Sequence, residues 1–245
     1  MTGRPRTVLF LCTGNSARSI LAEALGSFFL FAGVIGSGVM AEALAGGNAA
    51  VALLANTIAT GAILYVLIAM LAPVSGAHFN PAVTLAFALR GEIAPRRAVA
   101  YVLVQLAAGV LGAFAVHLMF DLPILQFSTR ARAGVGQWTG ELVATFGLVL
   151  TIFGLLRHRV EAIPAGVSLW IVAAYWFTSS TSFANPAITV VRSLSDSFAG
   201  IAPHHVPAFV LAQLAGAALA TLLGGWLFAA GALGTDRRME ASGGE

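Results

Sequence analysis

The residues best suited to covalent chemistry lie near the start of the chain, where five residues separate Cys12 from Arg18. An apolar stretch that reads as a strand leads into this loop, and a helical pattern follows it. In such a loop, backbone N–H groups and the N-terminus of the helix can bind a tetrahedral oxyanion. A cysteine thiolate beside an arginine is a good nucleophile. Cys12 and Arg18 are therefore candidates for oxyanion binding and nucleophilic attack.

Residues 7–19 read Thr-Val-Leu-Phe-Leu-Cys-Thr-Gly-Asn-Ser-Ala-Arg-Ser. This string resembles the start of the low-molecular-weight tyrosine phosphatases and of their relatives, the arsenate reductases. The remainder of such a domain is missing, since the chain has no downstream Asp-Pro general acid and no second cysteine. We therefore interpret residues 1–21 as a vestigial loop without catalytic activity. An active fusion of reductase and membrane protein is the alternative.

A second chemical signal is a tripeptide that occurs twice. Its six residues are Asn80, Pro81, Ala82, Asn185, Pro186 and Ala187. Asparagine is a good helix N-cap and proline is favoured at the first helical position, so each copy predicts the start of a helix. The segments that follow, 82–90 and 187–195, are too short to cross a bilayer.

The composition shows which elements must position these residues. The 245-residue chain is 58% hydrophobic and 9% charged, whereas a soluble domain has about 25% charged residues. Its apolar runs are long enough to span a membrane as helices. The predicted spans are 20–42, 48–72, 97–119, 138–156, 164–181 and 206–231.

The net charge of +3 could indicate an anionic partner such as nucleic acid. The positions of the basic residues are explained by membrane topology instead, so we expect no nucleic-acid partner. All thirteen basic residues are arginines. If the N-terminus is cytoplasmic, only Arg130, Arg132 and Arg192 lie outside, which satisfies the positive-inside rule. We therefore expect a multi-pass protein of the cell (inner) membrane with both termini in the cytoplasm.

The chain also repeats itself. The segment around Gln105 returns around Gln213, and the segment around Glu23 has a counterpart around Glu141. Each half contains three spans, so the second half enters the membrane from the opposite side and the halves form an inverted repeat. The two short helices then meet by their N-termini near the midplane, where their positive dipole ends oppose cations.

The paired motif and the string Ser-Gly-Ala-His-Phe-Asn-Pro-Ala-Val-Thr, which begins at Ser75, resemble the aquaporin and glycerol-facilitator family. The resemblance covers residues 22–231 and leaves 232–245 as a cytoplasmic tail. It implies an all-α membrane protein with six transmembrane helices and two re-entrant half-helices. It also implies a pore in each subunit of a homotetramer, with the two motifs at its centre.

Buried acids are functional candidates in a membrane, and Glu23 and Glu141 could serve a proton-coupled carrier. The family resemblance implies instead that they brace the re-entrant loops. His78 has no second ligand at usable spacing, and Cys12 is the only cysteine. We expect no metal site and no cofactor.

Family members narrow the pore with four filter residues, often including an aromatic residue and an arginine. Distances from the two motifs place this filter at Thr60, Ala173, Ser182 and Ile188. None of these is aromatic or charged, which predicts a wide and less polar filter. Arg192 lies one turn beyond Ile188, and the sequence leaves open whether it reaches the pore or belongs to the outer loop.

These features predict a passive channel for small uncharged solutes in contact with membrane lipid. The phosphatase-like string suggests an arsenic context, because arsenite at neutral pH is an uncharged triol similar in shape to glycerol. We therefore expect arsenite, related metalloid hydroxides, polyols and water as solutes, with a role in arsenic detoxification. A general water and glycerol channel is the alternative.

Overall fold

A computed structural model describes residues 16–229 of the chain. Within these residues the protein is helical, and six helices are long and apolar enough to cross a membrane. The long helices are α1 (Ser16–Leu44), α2 (Ala49–Ser75), α4 (Pro95–Met119), α5 (Val135–His158), α6 (Ile163–Phe177) and α8 (Val206–Leu227). The fifth span includes the 3₁₀ turn Val160–Ala162 that precedes α6. The short helices are α3 (Pro81–Leu89) and α7 (Pro186–Arg192). Six spans and two half-helices confirm the predicted fold class.

The two halves, α1–α4 and α5–α8, pack in the same way. In the first half α1 packs against α2 and α4, and in the second half α5 packs against α6 and α8. Two glycines permit the closest approaches. A Cβ atom on Gly112 would lie 2.5 Å from the Phe28 carbonyl oxygen of α1, and one on Gly216 would lie 2.4 Å from the Leu142 carbonyl oxygen of α5. Equivalent helix pairs therefore meet backbone to backbone.

The outer surface of the bundle is apolar, as lipid contact requires. Leu111 on α4, Leu211 on α8 and Leu222 on α8 each expose more than half of their surface. In water this area would be costly, but a hydrocarbon environment accepts it. The polar side chains that the sequence placed inside the spans, such as Glu23 and Gln213, are fully buried instead.

The predicted bounds of the spans differ from those of the helices by up to four residues at an end. The fifth span was expected to reach residue 181, but α6 ends at Phe177 because Thr178 is extended and Thr181 has a left-handed φ of 62°. Arg18 belongs to the same continuous helix as Glu23, and the division of the chain between residues 21 and 22 stays a prediction. Cys12 and the tail 232–245 lie outside the described residues.

Candidate functional site

The two half-helices meet through their asparagines. The Asn80 amide donates from Nδ2 to the Ala184 carbonyl at 2.7 Å, and the Asn185 amide donates from Nδ2 to the Phe79 carbonyl at 2.8 Å. Each asparagine therefore binds the residue that precedes the other motif. This reciprocal pair joins the two halves of the inverted repeat at their centre.

Both asparagines also cap their helices. Asn80 Oδ1 accepts from the Ala82 N–H at 2.8 Å, and Asn185 Oδ1 accepts from the Ala187 N–H at 3.0 Å. Each backbone is extended at the asparagine and helical from the proline onward. An amide NH₂ group has two hydrogens, so each asparagine retains a second donor after its bond to the opposite half. Both residues line the central cavity described below.

A buried carboxylate holds the loop in front of each motif. Glu23 accepts from the Ser75 hydroxyl at 2.7 Å and from the backbone N–H groups of His78 and Phe79 at 2.9 and 2.8 Å. Gln105 donates to the same carboxylate at 2.8 Å. The carboxylate is 0% exposed and lies outside the cavity wall.

Glu141 repeats this arrangement in the second half. Its oxygens accept from the Phe183 and Ala184 N–H groups, each at 2.8 Å, and from Gln213 at 2.6 Å. The loop that it holds carries left-handed φ angles at Ser182 and Ala184. Non-glycine residues adopt such angles only when their surroundings fix them. The carboxylate supplies acceptors that help to hold this conformation.

A cavity of about 790 Å³ lies between the two halves. One end reaches Arg157 and His158 at the end of α5, and the other reaches Tyr175 and Arg192. We call the second the outer end, after the topology expected from the sequence. The cavity therefore extends along much of the bundle. Its wall also includes both asparagines and the expected filter residues Thr60, Ser182 and Ile188.

The predicted filter position of Ala173 is wrong. This residue is exposed on α6 and does not line the cavity. The cavity-facing residues of α6 are Ile163, Val167, Ile171 and Tyr175, which are spaced by one helical turn. Ala173 lies half a turn from Tyr175 and therefore points away. Counting back from the motif misplaces this residue because it does not identify the buried face of the helix.

Tyr175 is the residue that the sequence reasoning missed. It is 3% exposed, and its hydroxyl lies 3.3 Å from the Thr60 Oγ1 atom of α2. An aromatic residue therefore does lie at the outer end of the cavity. The signal available in the sequence was the one-turn spacing Val167, Ile171 and Tyr175, which marks a single face of α6.

Arg192 lies inside the protein rather than in a solvated loop. It is 2% exposed and lines the cavity. Its Nε atom donates to the Ala199 carbonyl, and its guanidinium carbon lies over the Phe183 ring. With Tyr175 it gives this end of the cavity an aromatic ring and a positive charge. The expected non-aromatic filter is therefore wrong, and of the two positions that the sequence left open for Arg192 the structure shows the one on the cavity wall.

His78 packs within the first half. Its Nδ1 atom lies 3.1 Å from the Thr84 hydroxyl, and its ring stacks on Phe87 with centroids 4.7 Å apart. The histidine precedes its asparagine by two residues, as Phe183 does in the second half. Phe87 and Arg192 likewise follow their asparagines by seven residues. Equivalent positions therefore hold a ring pair in the first half and a ring–guanidinium pair in the second half.

Across residues 16–229 no cluster of metal-ligating side chains is found.

Comparisons with known proteins agree with this architecture. The family model for the major intrinsic proteins matches residues 11–176. The aquaglyceroporin AqpS of Rhizobium meliloti (strain 1021) is 54% identical over 210 residues, 86% of this chain and 90% of that protein. The aquaporin NIP1-4 of Oryza sativa subsp. japonica is 29% identical over 243 residues, 96% of this chain and 82% of that protein.

Solved structures give the same fold. The X-ray structure of the aquaglyceroporin from Plasmodium falciparum matches with a TM-score of 0.66 and 17% identity, over 85% of this chain and 95% of that one. At this identity the likeness shows the fold alone. Together with the family match and the six apolar spans, it places the chain in the major intrinsic protein family, as a multi-pass membrane channel for small solutes and not an enzyme.

Proposed function

We propose that this channel passively conducts small uncharged polyhydroxyl solutes, namely glycerol-like polyols and arsenite. The observation that carries the proposal is the mixed wall at the outer end of the cavity. Three residues that carry hydroxyl groups, Thr60, Tyr175 and Ser182, line it together with the apolar residues Ile171 and Ile188. A polyol presents hydroxyl groups and C–H groups, so a wall with both kinds of surface suits it.

Ser182 adds a specific donor and acceptor. Its side chain is 2% exposed and lines the cavity, and its Oγ atom has no hydrogen-bond partner among the described residues. An unmade hydrogen bond in a buried site is costly. A rotation of the Ser182 side chain that turned this hydroxyl toward the cavity would let a solute hydroxyl satisfy it, which would favour alcohols over apolar molecules of the same size.

The proposed pore centre consists of Asn80, Pro81 and Ala82 with Asn185, Pro186 and Ala187. The helix N-termini point their positive dipole ends at this level, and each asparagine offers its second amide hydrogen to a passing oxygen. Neutral solutes would accept these donors, whereas cations would be repelled. Thr60, Tyr175, Ser182, Ile188 and Arg192 form the proposed selectivity filter.

Arsenite fits the same chemistry, because As(OH)₃ is a neutral triol. The phosphatase-like string around Cys12 supports an arsenic context, since arsenate reduction elsewhere would supply arsenite for passive efflux. On this proposal the protein contributes to arsenic detoxification. It acts as a homotetramer in the cell (inner) membrane, with both termini in the cytoplasm.

Stopped-flow measurements on proteoliposomes test the proposal directly. We expect wild-type protein to raise the permeability of the vesicles to glycerol and to arsenite well above that of protein-free vesicles. Water permeability should be measured in parallel on the same preparation. A channel that conducts water but neither glycerol nor arsenite would contradict the proposed solute class.

The N-terminal string permits a second test. If residues 1–21 are vestigial, Cys12→Ser should leave the flux of all three solutes unchanged. The purified protein should reduce no arsenate with or without this substitution. Arsenate reduction that depends on Cys12 would establish the fusion alternative.

A further inference from the structure

An arginine of the outer loop between α4 and α5 lies buried behind the cavity wall. Arg132 is 7% exposed, although the flanking residues of this loop are exposed. Burial, followed by the neighbouring charges of Arg192 and Arg130, lowers the pKa of Arg132 to about 9. The side chain is therefore protonated at neutral pH. Burying a charge is unfavourable unless hydrogen bonds compensate for the lost water.

The compensation comes from four uncharged oxygens on two loops. Nε donates to the Gly200 carbonyl at 2.8 Å, and Nη2 donates to the Phe198 carbonyl at 3.3 Å. Nη1 donates to the Ser180 carbonyl at 3.1 Å and to the Thr181 hydroxyl at 3.4 Å. One planar guanidinium thus joins the loop after α6 to the loop after α7.

Arg132 and Arg192 bind alternate carbonyls of one segment. Arg132 takes the carbonyls of Phe198 and Gly200, whereas Arg192 takes that of Ala199 between them. Both guanidinium groups also approach the Phe183 ring, with carbon-to-centroid distances of 4.9 Å for Arg132 and 3.4 Å for Arg192. The side chain behind the wall and the side chain on the wall therefore share two supports, the segment 198–200 and the Phe183 ring.

The loop after α6 needs such support because of its backbone. Thr181 and Ser182 have φ angles of 62° and 49°, which L residues adopt only at a cost. Ser182 lines the cavity directly after the two residues that Arg132 binds. Loss of these bonds would allow Ser182 and Phe183 to relax away from their present positions.

We propose that Arg132 is a positioning residue for solute selection, which fixes the width of the outer end of the cavity by holding Ser182, Phe183 and Arg192 in place. The inference rests on the proposed function, since it assumes that polyols pass this constriction. Arg132 itself does not line the cavity. Arg132 therefore affects which solutes are excluded, although it does not contact them.

The experiment compares Arg132→Gln and Arg132→Lys with wild type in proteoliposomes that carry equal amounts of assembled protein. The readout is the permeability to a six-carbon polyol divided by the permeability to glycerol. We expect this ratio to rise roughly three- to tenfold in Arg132→Gln, as expected for the loss of several hydrogen bonds. Arg132→Lys keeps the charge but not the planar fork, so it should also raise the ratio.

Arg130→Gln is the matched control, because Arg130 is an exposed arginine two residues away whose guanidinium carbon lies 5.0 Å from the Phe198 ring. It should leave the ratio unchanged. If Arg132→Gln does not assemble, the decision falls to Arg132→Lys. An unchanged ratio, or an equal fall for both polyols, in the assembled variant would overturn the proposal. Failure of wild type to conduct glycerol would instead contradict the proposed function.

Discussion

The guanidinium carbon of Arg192 lies 3.4 Å from the centroid of the Phe183 ring. This contact is close for a cation–π pair, and it holds a positive charge at the outer end of the cavity. The family pattern places its arginine three residues after the second asparagine, where this chain has Ile188. Arg192 lies one helical turn further along α7 and still reaches the cavity wall. The charge is therefore displaced along the helix and not lost.

The first prediction concerns the asparagine at the centre. Asn80→Ala removes a helix cap that contributes about 1 kcal/mol, together with the bond to the Ala184 carbonyl. We expect lower glycerol and arsenite flux from protein that still reaches the membrane. Asn48→Ala is the control, because Asn48 also caps a helix but lies outside the cavity wall. Equal flux in Asn80→Ala and Asn48→Ala would contradict a pore centred on the motifs.

The sequence predicts the spans and both half-helices well, because their signals are local. Apolar runs define the spans, and Asn80 and Asn185 mark helix starts through capping. The filter is less predictable, because it depends on which face of a helix is buried and on where a long side chain ends. Counting residues from the motif chose Ala173 over Tyr175, and it could not locate the guanidinium of Arg192. Arg132 carries no local signal, since its partners are backbone carbonyls from distant loops.

A second prediction tests the corrected face of α6. Ile171→Phe adds volume to the cavity wall and should lower glycerol flux strongly. Ala173→Phe adds volume on the exposed side and should leave glycerol and water flux unchanged. Both variants are compared at equal amounts of membrane-inserted protein in the same uptake assay. Blockage by Ala173→Phe with normal flux in Ile171→Phe would reverse the assignment of this helix face.

The third prediction separates bracing from proton coupling at Glu141. Each carboxylate oxygen accepts from a backbone N–H group, so Glu141→Gln points an NH₂ group at a donor. A buried donor left without an acceptor costs about 1–3 kcal/mol. We therefore expect less assembled protein, measured by size-exclusion chromatography of the detergent-solubilised variant.

A proton gradient tests the coupled-carrier alternative. Solute uptake by wild type should not respond to an imposed proton gradient, whereas accelerated uptake would favour a coupled carrier.

A fourth prediction concerns the charge on Arg192. Arg192→Gln removes a positive charge from the wall. At about 4 Å, with an effective dielectric constant of about 20, this charge repels a monovalent cation by ~4 kcal/mol. We expect permeability to a small organic cation to rise relative to glycerol, by roughly tenfold or more. Arg96→Gln is the control, since Arg96 is exposed and lies outside the cavity wall. An unchanged cation-to-glycerol ratio would assign charge exclusion to the helix dipoles alone.

The last prediction restores the family position of the arginine. Ile188 is 4% exposed and lines the cavity, so Ile188→Arg adds a guanidinium one turn from Arg192. The constriction becomes narrower and more hydrated, so the permeability to larger solutes should fall most. We expect glycerol and arsenite flux to fall much more than water flux in parallel vesicle uptake. Ile188→Met keeps a similar apolar volume and should change all three little. Because the Ala199 carbonyl and the Phe183 ring already hold Arg192 in place, the added charge cannot displace it without breaking those contacts. If Ile188→Arg lowers all three fluxes equally, or lowers none, the selectivity of this channel is not set at the outer end of the cavity.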